Sequence, residues 1–551
     1  MAKEIQVFGI PGGGKTTYLT KIIKASAEKN DGKGDHLLVS SFTKTAAAEL
    51  VDRDLPVPQQ NVGTLHALCY RLIGRGELAE KHVGDFNKEY PQFALSKNIS
   101  VDVSESQPDM KYGCENDGLF NYMQRMRAKL KPFPWPDQRV EMIYNKWTEW
   151  KEGNGLLDFT DMIDIALKNE VAPPDGVRVG IFDEVQDFTP MQMALVRMWG
   201  EKYLDYIMIC GDDDQAVFSF TGATPDTFLN PGYALHDKKY LDQSYRVPRL
   251  PLEAADRWVK KLSKREPKEP KPRVENGEVV EGKLETLEFN FEQPKWVADS
   301  IEELLKKGTV MVLGACGYML APVIGELRTR GIPFANRFRR SFGAWNPLGN
   351  GRGVSGAKRL WNYLTPMGGM VGDQKVWHPD QVVMWADLCE AKKLFVRGKK
   401  ASFLEACKVD GLSVDGLVEL ILDSFQPEHI DPAFLLKPMW LWQQMIKDKA
   451  EKMAFPMAIL KRMGKDALID EPDVTIGTVH SVKGGQADYV ILFPDISMNS
   501  ALSAQPTPGN PQAGVEGRDA IIRQFYVGMM WCREGLYVTR PKGILYAPIL
   551  G

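Results

Sequence analysis

Gly9-Ile10-Pro11-Gly12-Gly13-Gly14-Lys15-Thr16 decides the fold. A short apolar run, Ile5 to Phe8, precedes it, and a helix-like stretch, Thr17 to Glu28, follows it. This is the strand–loop–helix setting of a G-x-x-x-x-G-K-T phosphate loop. Glycines let the backbone wrap a polyphosphate, and the helix N-terminus faces its negative charge. Lys15 reaches the β- and γ-phosphates and Thr16 holds Mg²⁺ in such a loop. Gly9, Pro11, Gly12, Gly13, Gly14, Lys15, Thr16 and Thr17 are therefore the candidate nucleotide contacts. The loop announces a nucleoside triphosphate but not the use of its energy.

The second half of such a site is a strand ending in paired acids. Ile181-Phe182-Asp183-Glu184-Val185-Gln186-Asp187 supplies one. Asp183 is the expected Mg²⁺ ligand, and Glu184 the group that takes a proton from the attacking water. A second apolar strand leads into Gly211-Asp212-Asp213-Asp214-Gln215. Taken alone, three acids in a row read as a solvated surface turn. Next to the phosphate loop, Gln215 becomes a candidate γ-phosphate sensor. Phe218 and Phe220 follow it, either as base-stacking rings or as core.

The chain has 551 residues, with 44% hydrophobic and 26% charged residues, a soluble globular balance that predicts three or four domains. A net charge of −3 excludes whole-molecule attraction to nucleic acid, so any polyanion site is a local groove. The seven cysteines are scattered and odd in number, without C-x-x-C spacing, against zinc, iron–sulfur or disulfide frameworks. No apolar run is long enough for a membrane span and no signal peptide is expected, so the expected compartment is the cytoplasm.

The expected fold class is α/β: parallel sheets flanked by helices in two units, each with a mainly helical insertion. Leu37 to Ser40, Gly180 to Asp183, Tyr206 to Cys210 and Val310 to Leu313 read as strands, and Val474 to Val490 as a return to α/β. Lys264 to Pro272 carries repeated prolines and reads as a linker or surface loop. Pro506 to Pro511 reads as another loop.

The order of these elements resembles superfamily 1 DNA helicases of the UvrD/Rep/PcrA type. Ser41 to Leu50 is similar to the family's motif Ia, Val62-Gly63-Thr64-Leu65-His66 to motif Ib, Asp183 to Asp187 to motif II and Gly211 to Ala223 to motif III. Leu241-Asp242-Gln243-Ser244-Tyr245-Arg246 resembles motif IV, Thr478 to Gln486 motif V, and Arg523 to Met529 the start of motif VI. The resemblance implies two RecA-like P-loop domains with ATP in the cleft between them. Residues 1–70 and 156–245 would form the first, with a helical insertion at 71–155. Residues 246–336 and 466–551 would form the second, with an insertion at 337–465.

By the same resemblance, Lys15, Asp183, Glu184, Gln215 and Arg246 are catalytic. Tyr245 stacks on the base, Arg246 points at the γ-phosphate, and Gln486 binds the nucleotide. Phe42, Thr43, Thr64, His66, Phe218, Phe220, Thr478 and His480 contact DNA, although a lone histidine such as His480 is as readily structural. The cofactors are ATP and Mg²⁺, and the partners single-stranded DNA and single-strand/duplex junctions. The expected protein is a monomer that moves 3′ to 5′ and unwinds duplex.

Four features depart from the family. The eight residues before the loop leave no room for the family's adenine-reading glutamine segment. Motif VI normally continues Thr-Arg-Ala, but here it reads Met530-Trp531-Cys532, with Trp531 in the arginine's place. Arg533 lies two residues on, which on a helix is a turn of roughly 200°, and reads as a surface or core-edge group. Thr221 replaces motif III's arginine, and Gln486 motif V's glutamate. An ATP-switched DNA-binding protein with little unwinding is therefore the alternative. A kinase is weaker, because it gives no reason for two α/β units.

In the insertions, Arg125 to Lys131 reads as a phosphate-facing or, more simply, a solvated helix. Asp158 reads as a helix cap rather than a catalyst. Arg337, Arg339, Arg340 and Arg352 belong to a glycine-rich loop, either duplex-facing or mobile.

Overall fold

The computed structural model describes residues 2–550 apart from 43–54, 97, 98, 100–113, 132–134, 136, 231–234, 337–344, 350–353, 372 and 507–510. Thr43, Arg337, Arg339, Arg340, Arg352 and the middle of the 506–511 loop lie outside the described residues. The chain divides into two compact units. One comprises Met1–Glu285, Pro494–Leu536 and Leu545–Gly551; the other comprises Thr286–Phe493 and Tyr537–Ile544.

The first unit is built on a six-stranded sheet. Its strands are β1 (Lys3–Gly9), β2 (Leu37–Ser41), β3 (Val62–Gly63), β4 (Val179–Asp183), β5 (Tyr206–Gly211) and β6 (Leu235–Leu241), in the order β3-β2-β4-β5-β1-β6. Every pairing is parallel. Both faces are buried, as a parallel sheet requires, and neighbouring side chains alternate between them. Phe8, Leu38, Phe182, Ile207 and Ile209 enter one core, with the helices Leu65–Leu72, Asp161–Lys168 and Pro190–Lys202. Val7, Leu37, Val39, Ile181, Met208 and Cys210 enter the other, against Leu19 and Ile23 of helix Lys15–Glu28. Each such aliphatic or phenyl group contributes about 1.5–3 kcal/mol on full burial.

The edge strands were the ones that escaped sequence reading. β3 is two residues long, and β6 reads Leu-His-Asp-Lys-Lys-Tyr-Leu. A charged edge discourages pairing with another chain, and it also erases the apolar signal.

Within residues 71–155 the described chain is mainly helical, including Val83–Glu89, Asn116–Ala128 and Gln138–Gly153. Its own core holds Phe86, Phe120, Trp147 and Trp150. Arg127 corrects the reading of a solvated helix. Its side chain is only 9% exposed and donates to Asp158 Oδ2 at 2.8 Å and to Asp161 Oδ1 at 2.6 Å, and Lys151 joins the same acids. Asp158 stands two residues before the cap position, Thr160, of helix Asp161–Lys168, and its Oδ1 accepts from the Asp161 amide at 2.8 Å.

The second sheet has the order β7-β11-β10-β8-β9, with β7 (Lys283–Leu287), β8 (Val310–Gly314), β9 (Val474–Thr478), β10 (Ala487–Leu492) and β11 (Cys532–Thr539). β8 pairs in parallel with both β9 and β10. The second insertion contains eight described helices from Gly356–Leu364 to Lys447–Met463 and a cluster of Tyr363, Trp377 and Trp385.

Candidate functional site

β1 is buried to its end and releases the chain at Gly9 into a loop that closes on helix Lys15–Glu28. Gly12 has φ 72°, in the left-handed region that favours glycine. A Cβ there would stand 2.6 Å from Arg246 Cβ. A Cβ on Gly13 would stand 2.7 Å from the Leu241 carbonyl. Both glycines are fixed by the close passage of residues 241–246 over the loop. Ser244 Oγ donates to the Pro11 carbonyl at 3.1 Å and the Tyr245 amide to the Gly12 carbonyl at 2.8 Å. Tyr245 is 71% exposed, and its ring edge comes within 3.5 Å of where a Gly14 Cβ would be. Lys15 Nζ donates to the Gly9 carbonyl at 3.0 Å, so the ammonium lies folded over the loop.

The acids stand where the strand register puts them. Phe182 pairs with Ile209 and Phe8 with Gly211, so β4, β5 and β1 end side by side. Asp183 closes β4, its Oδ1 accepting from the Glu184 amide at 2.9 Å. Glu184 has φ 56°, a strained backbone for a non-glycine residue and of a kind that clusters at working sites. Burial pushes the Cys210 thiol well above its usual range; Asp183 and Glu184 reinforce this and Lys15 opposes it. These three charged groups therefore share one neighbourhood at the end of β5. A threonine hydroxyl opening the helix and a carboxylate closing β4 form a hard-oxygen donor set, which fits Mg²⁺.

The acidic run is not a surface turn. Asp212, Asp213 and Asp214 are fully buried, with Lys268 among them. Lys268 Nζ lies 2.6 Å from Asp212 Oδ1, 2.6 Å from Asp213 Oδ1 and 2.9 Å from Asp214 Oδ2. Residues 264–272 form no helix, and Lys264, Pro267, Glu269 and Lys271 are exposed, so the stretch is the surface segment its prolines suggest, with Lys268 alone buried from it. Arg265 clasps Asp214 with two hydrogen bonds, of 2.9 and 2.6 Å. Arg523 donates to the Asp213 carbonyl at 3.0 Å.

Burial alone would raise the Asp212 carboxyl, but Lys268 and Lys15 outweigh it and hold it low. Burial, opposed by Lys268 and reinforced by Asp214 and Asp212, pushes Asp213 up to about 6. Burial works against the Lys268 ammonium, yet the surrounding carboxylates hold it above its ordinary value.

Gln186 ties the two acidic stretches together. Its Oε1 accepts from the Asp212 amide at 3.0 Å, and its Nε2 donates to Glu184 Oε2 at 2.6 Å. Gln215 Nε2 donates to Asp212 Oδ2 at 2.8 Å. Sequence reading missed Lys268, Arg265 and Gln186 as members of this network. The excess of buried negative charge at 212–214 was the signal that could have called for them.

The other candidates are more dispersed. Phe218 is buried against Phe42, with ring centroids 5.2 Å apart, and Phe220 is half-buried beside it. Thr64 caps helix Leu65–Leu72 through the Ala67 amide, and His66 stacks on Phe159 at 3.9 Å. Thr478 caps the turn Val479–Val482 through the Ser481 amide, and Gln486 is exposed. Thr221 donates to the Phe218 carbonyl at 2.7 Å. Trp531 is buried. The helix Pro511–Met529 ends before it, so Arg533 lies on β11, exposed, and the helical comparison between the two positions does not apply.

Residues 1–233 match the UvrD/REP helicase N-terminal domain. The chain is 26% identical over 277 residues to the ATP-dependent DNA helicase PcrA of Staphylococcus aureus, covering 47% of this chain and 38% of that protein. It is 23% identical over 364 residues to a probable DNA helicase II homolog of Mycoplasma capricolum, covering 60% of this chain and 49% of that one. A putative ATP-dependent DNA helicase of Bacillus subtilis, YjcD, is 24% identical over 276 residues, or 46% of this chain and 36% of its own. The matched stretches thus span less than half of these relatives' own length.

Proposed function

We propose that this chain, a divergent relative of the UvrD/PcrA-type superfamily 1 helicases, is an ATP-dependent DNA helicase that moves on single-stranded DNA and separates duplex. One observation carries the reading: Lys15, Asp183 and Glu184 converge at the ends of β1 and β4, with Tyr245 and Arg246 strapped to the same loop. On binding ATP, Lys15 exchanges the Gly9 carbonyl for phosphate oxygens. Thr16 and Asp183 would hold Mg²⁺, which would supply positive charge against the phosphates. Glu184 takes the proton of the attacking water, Gln215 orients the γ-phosphate, and Arg246 stabilises the charge that develops on it. Tyr245 offers its exposed ring to the base, and Gln486 completes the nucleotide contacts.

In this reading the DNA track runs over Phe42, Thr43, Thr64, His66, Phe218, Phe220, Thr478 and His480, movement is 3′ to 5′, and the two α/β units are the halves of the motor, as the resemblance to the family's motifs suggests. Among the described residues no helix is long and apolar enough to cross a membrane.

A second reading, an ATP-switched DNA-binding protein with little unwinding, is favoured by Trp531. This buried ring stands where the family places a γ-phosphate arginine. Strand separation on duplexes with a 3′ or a 5′ single-stranded tail decides between them. The helicase reading expects ATP-dependent unwinding of the 3′-tailed duplex. DNA-stimulated hydrolysis with neither duplex opened gives the second reading its place.

A further inference from the structure

Three buried carboxylates on consecutive residues are an unstable arrangement unless a cation stands among them. Asp212, Asp213 and Asp214 bring their oxygens close enough to ligate a metal ion, but Lys268 Nζ already occupies that place, at 2.6–2.9 Å from all of them. An internal ammonium takes the part of the metal. It arrives on a segment that is itself clamped: Glu266 donates its amide to Asp213 Oδ2 at 2.9 Å, and its carboxylate accepts from Lys238 and Tyr240 of β6.

What Lys268 grips is next to the chemistry. Asp212 uses Oδ1 for Lys268 and Oδ2 for Gln215, and its amide for Gln186, which holds Glu184. We propose that Lys268 is a positioning residue for ATP hydrolysis: it fixes Asp212, and through Asp212 and Gln186 it holds Gln215 and Glu184 in register with the phosphate loop. The proposal rests on the assignment of ATP hydrolysis to this site. Lys268 touches neither nucleotide nor water in this scheme. Its removal leaves Asp212 and Asp213 without their ammonium while Arg265 still holds Asp214, so Asp212 turns and carries Gln215 and Gln186 with it. A displacement of about 1 Å in such a site lowers turnover about 100-fold. Hydrogen bonds from Lys268 do not reach the phosphate loop, so ATP affinity stays.

The test is steady-state ATP hydrolysis of the full chain with single-stranded DNA. It compares wild type, Lys268→Met and Lys268→Arg, with binding of a non-hydrolysable ATP analogue and a thermal melt for each. Lys268→Met is expected to lower kcat about 100-fold with KM and analogue affinity within about twofold. Lys268→Arg keeps the charge but cannot centre one nitrogen among three carboxylates, and falls between. If Lys268→Met does not fold, Lys268→Arg decides: a fivefold or greater loss of kcat at unchanged KM supports the proposal, and kcat within twofold of wild type overturns it. A folded Lys268→Met with wild-type kcat, or one whose analogue affinity falls in step with kcat, also overturns it. Absence of hydrolysis by the wild-type chain would instead remove the assignment on which the proposal rests, and the proposal with it.

Discussion

The Tyr245 amide donates to the Gly12 carbonyl at 2.8 Å. One hydrogen bond thus joins the segment that carries an exposed aromatic ring to the loop shaped for phosphate, over 200 residues away in sequence. The ring and the loop are held as one binding element. Tyr245→Ala is expected to raise KM for ATP about tenfold, the equivalent of about 1.4 kcal/mol of stacking, with kcat within about twofold. A kcat loss without a KM change would show that the ring acts in turnover instead.

Glu184→Gln keeps the shape of a side chain that accepts from Gln186 and removes its capacity to take a proton. Hydrolysis is expected to fall about 10²–10⁴-fold, while a fluorescent ATP analogue binds as in wild type. Binding and hydrolysis lost together would point to a collapsed loop.

Glu80 gives a pH dependence with a defined sign. It is buried, donated to by the Phe159 amide at 2.9 Å. Burial, with Asp158 adding to it and Lys151 opposing it, pushes its carboxyl up to about 8. The unfolded chain ionises this group near 4.5 and the folded chain near 8, so stability declines as pH rises through that window and the loss is complete above it. Glu80→Gln does not titrate. Its denaturation midpoint relative to wild type should therefore rise between pH 5 and 8.5, by the equivalent of a few kcal/mol. A constant difference across that range would show that Glu80 is ionised in the fold.

Arg127 anchors the first insertion by pairing with Asp158 and Asp161. Arg127→Met leaves acids buried with only Lys151 to balance them. It should destabilise the first unit by about 3–5 kcal/mol, the usual loss when one member of a buried ion pair is removed. Chemical denaturation followed by fluorescence of Trp147 and Trp150 reads this directly. A loss below about 1 kcal/mol would mean that the pair behaves as an exposed one.

The phosphate loop and the Asp183–Glu184 pair were legible because each is a local pattern whose chemistry is set by adjacent residues. The inner strands were legible for the same reason: Leu37–Ser41 opens on the apolar run Leu37 to Val39, and Tyr206–Gly211 is short and largely apolar. Lys268 was not, since its meaning depends on acids more than fifty residues away, and its own neighbourhood of lysines, glutamates and prolines looks solvated. Arg127 misled in the same way. Arg533 is exposed, as read, but on a strand rather than a helix: Tyr537, Val538 and Thr539 favour a strand after Met529. Phe218 shows the remaining ambiguity: an aromatic ring after a sensor looks the same in sequence whether it meets a base or Phe42.

Steady-state ATP hydrolysis with and without single-stranded DNA, with Glu184→Gln as control, tests the central claim most directly. The account predicts hydrolysis strongly stimulated by DNA and abolished in the control. Hydrolysis at background with and without DNA, in a chain that still binds the ATP analogue, would contradict it.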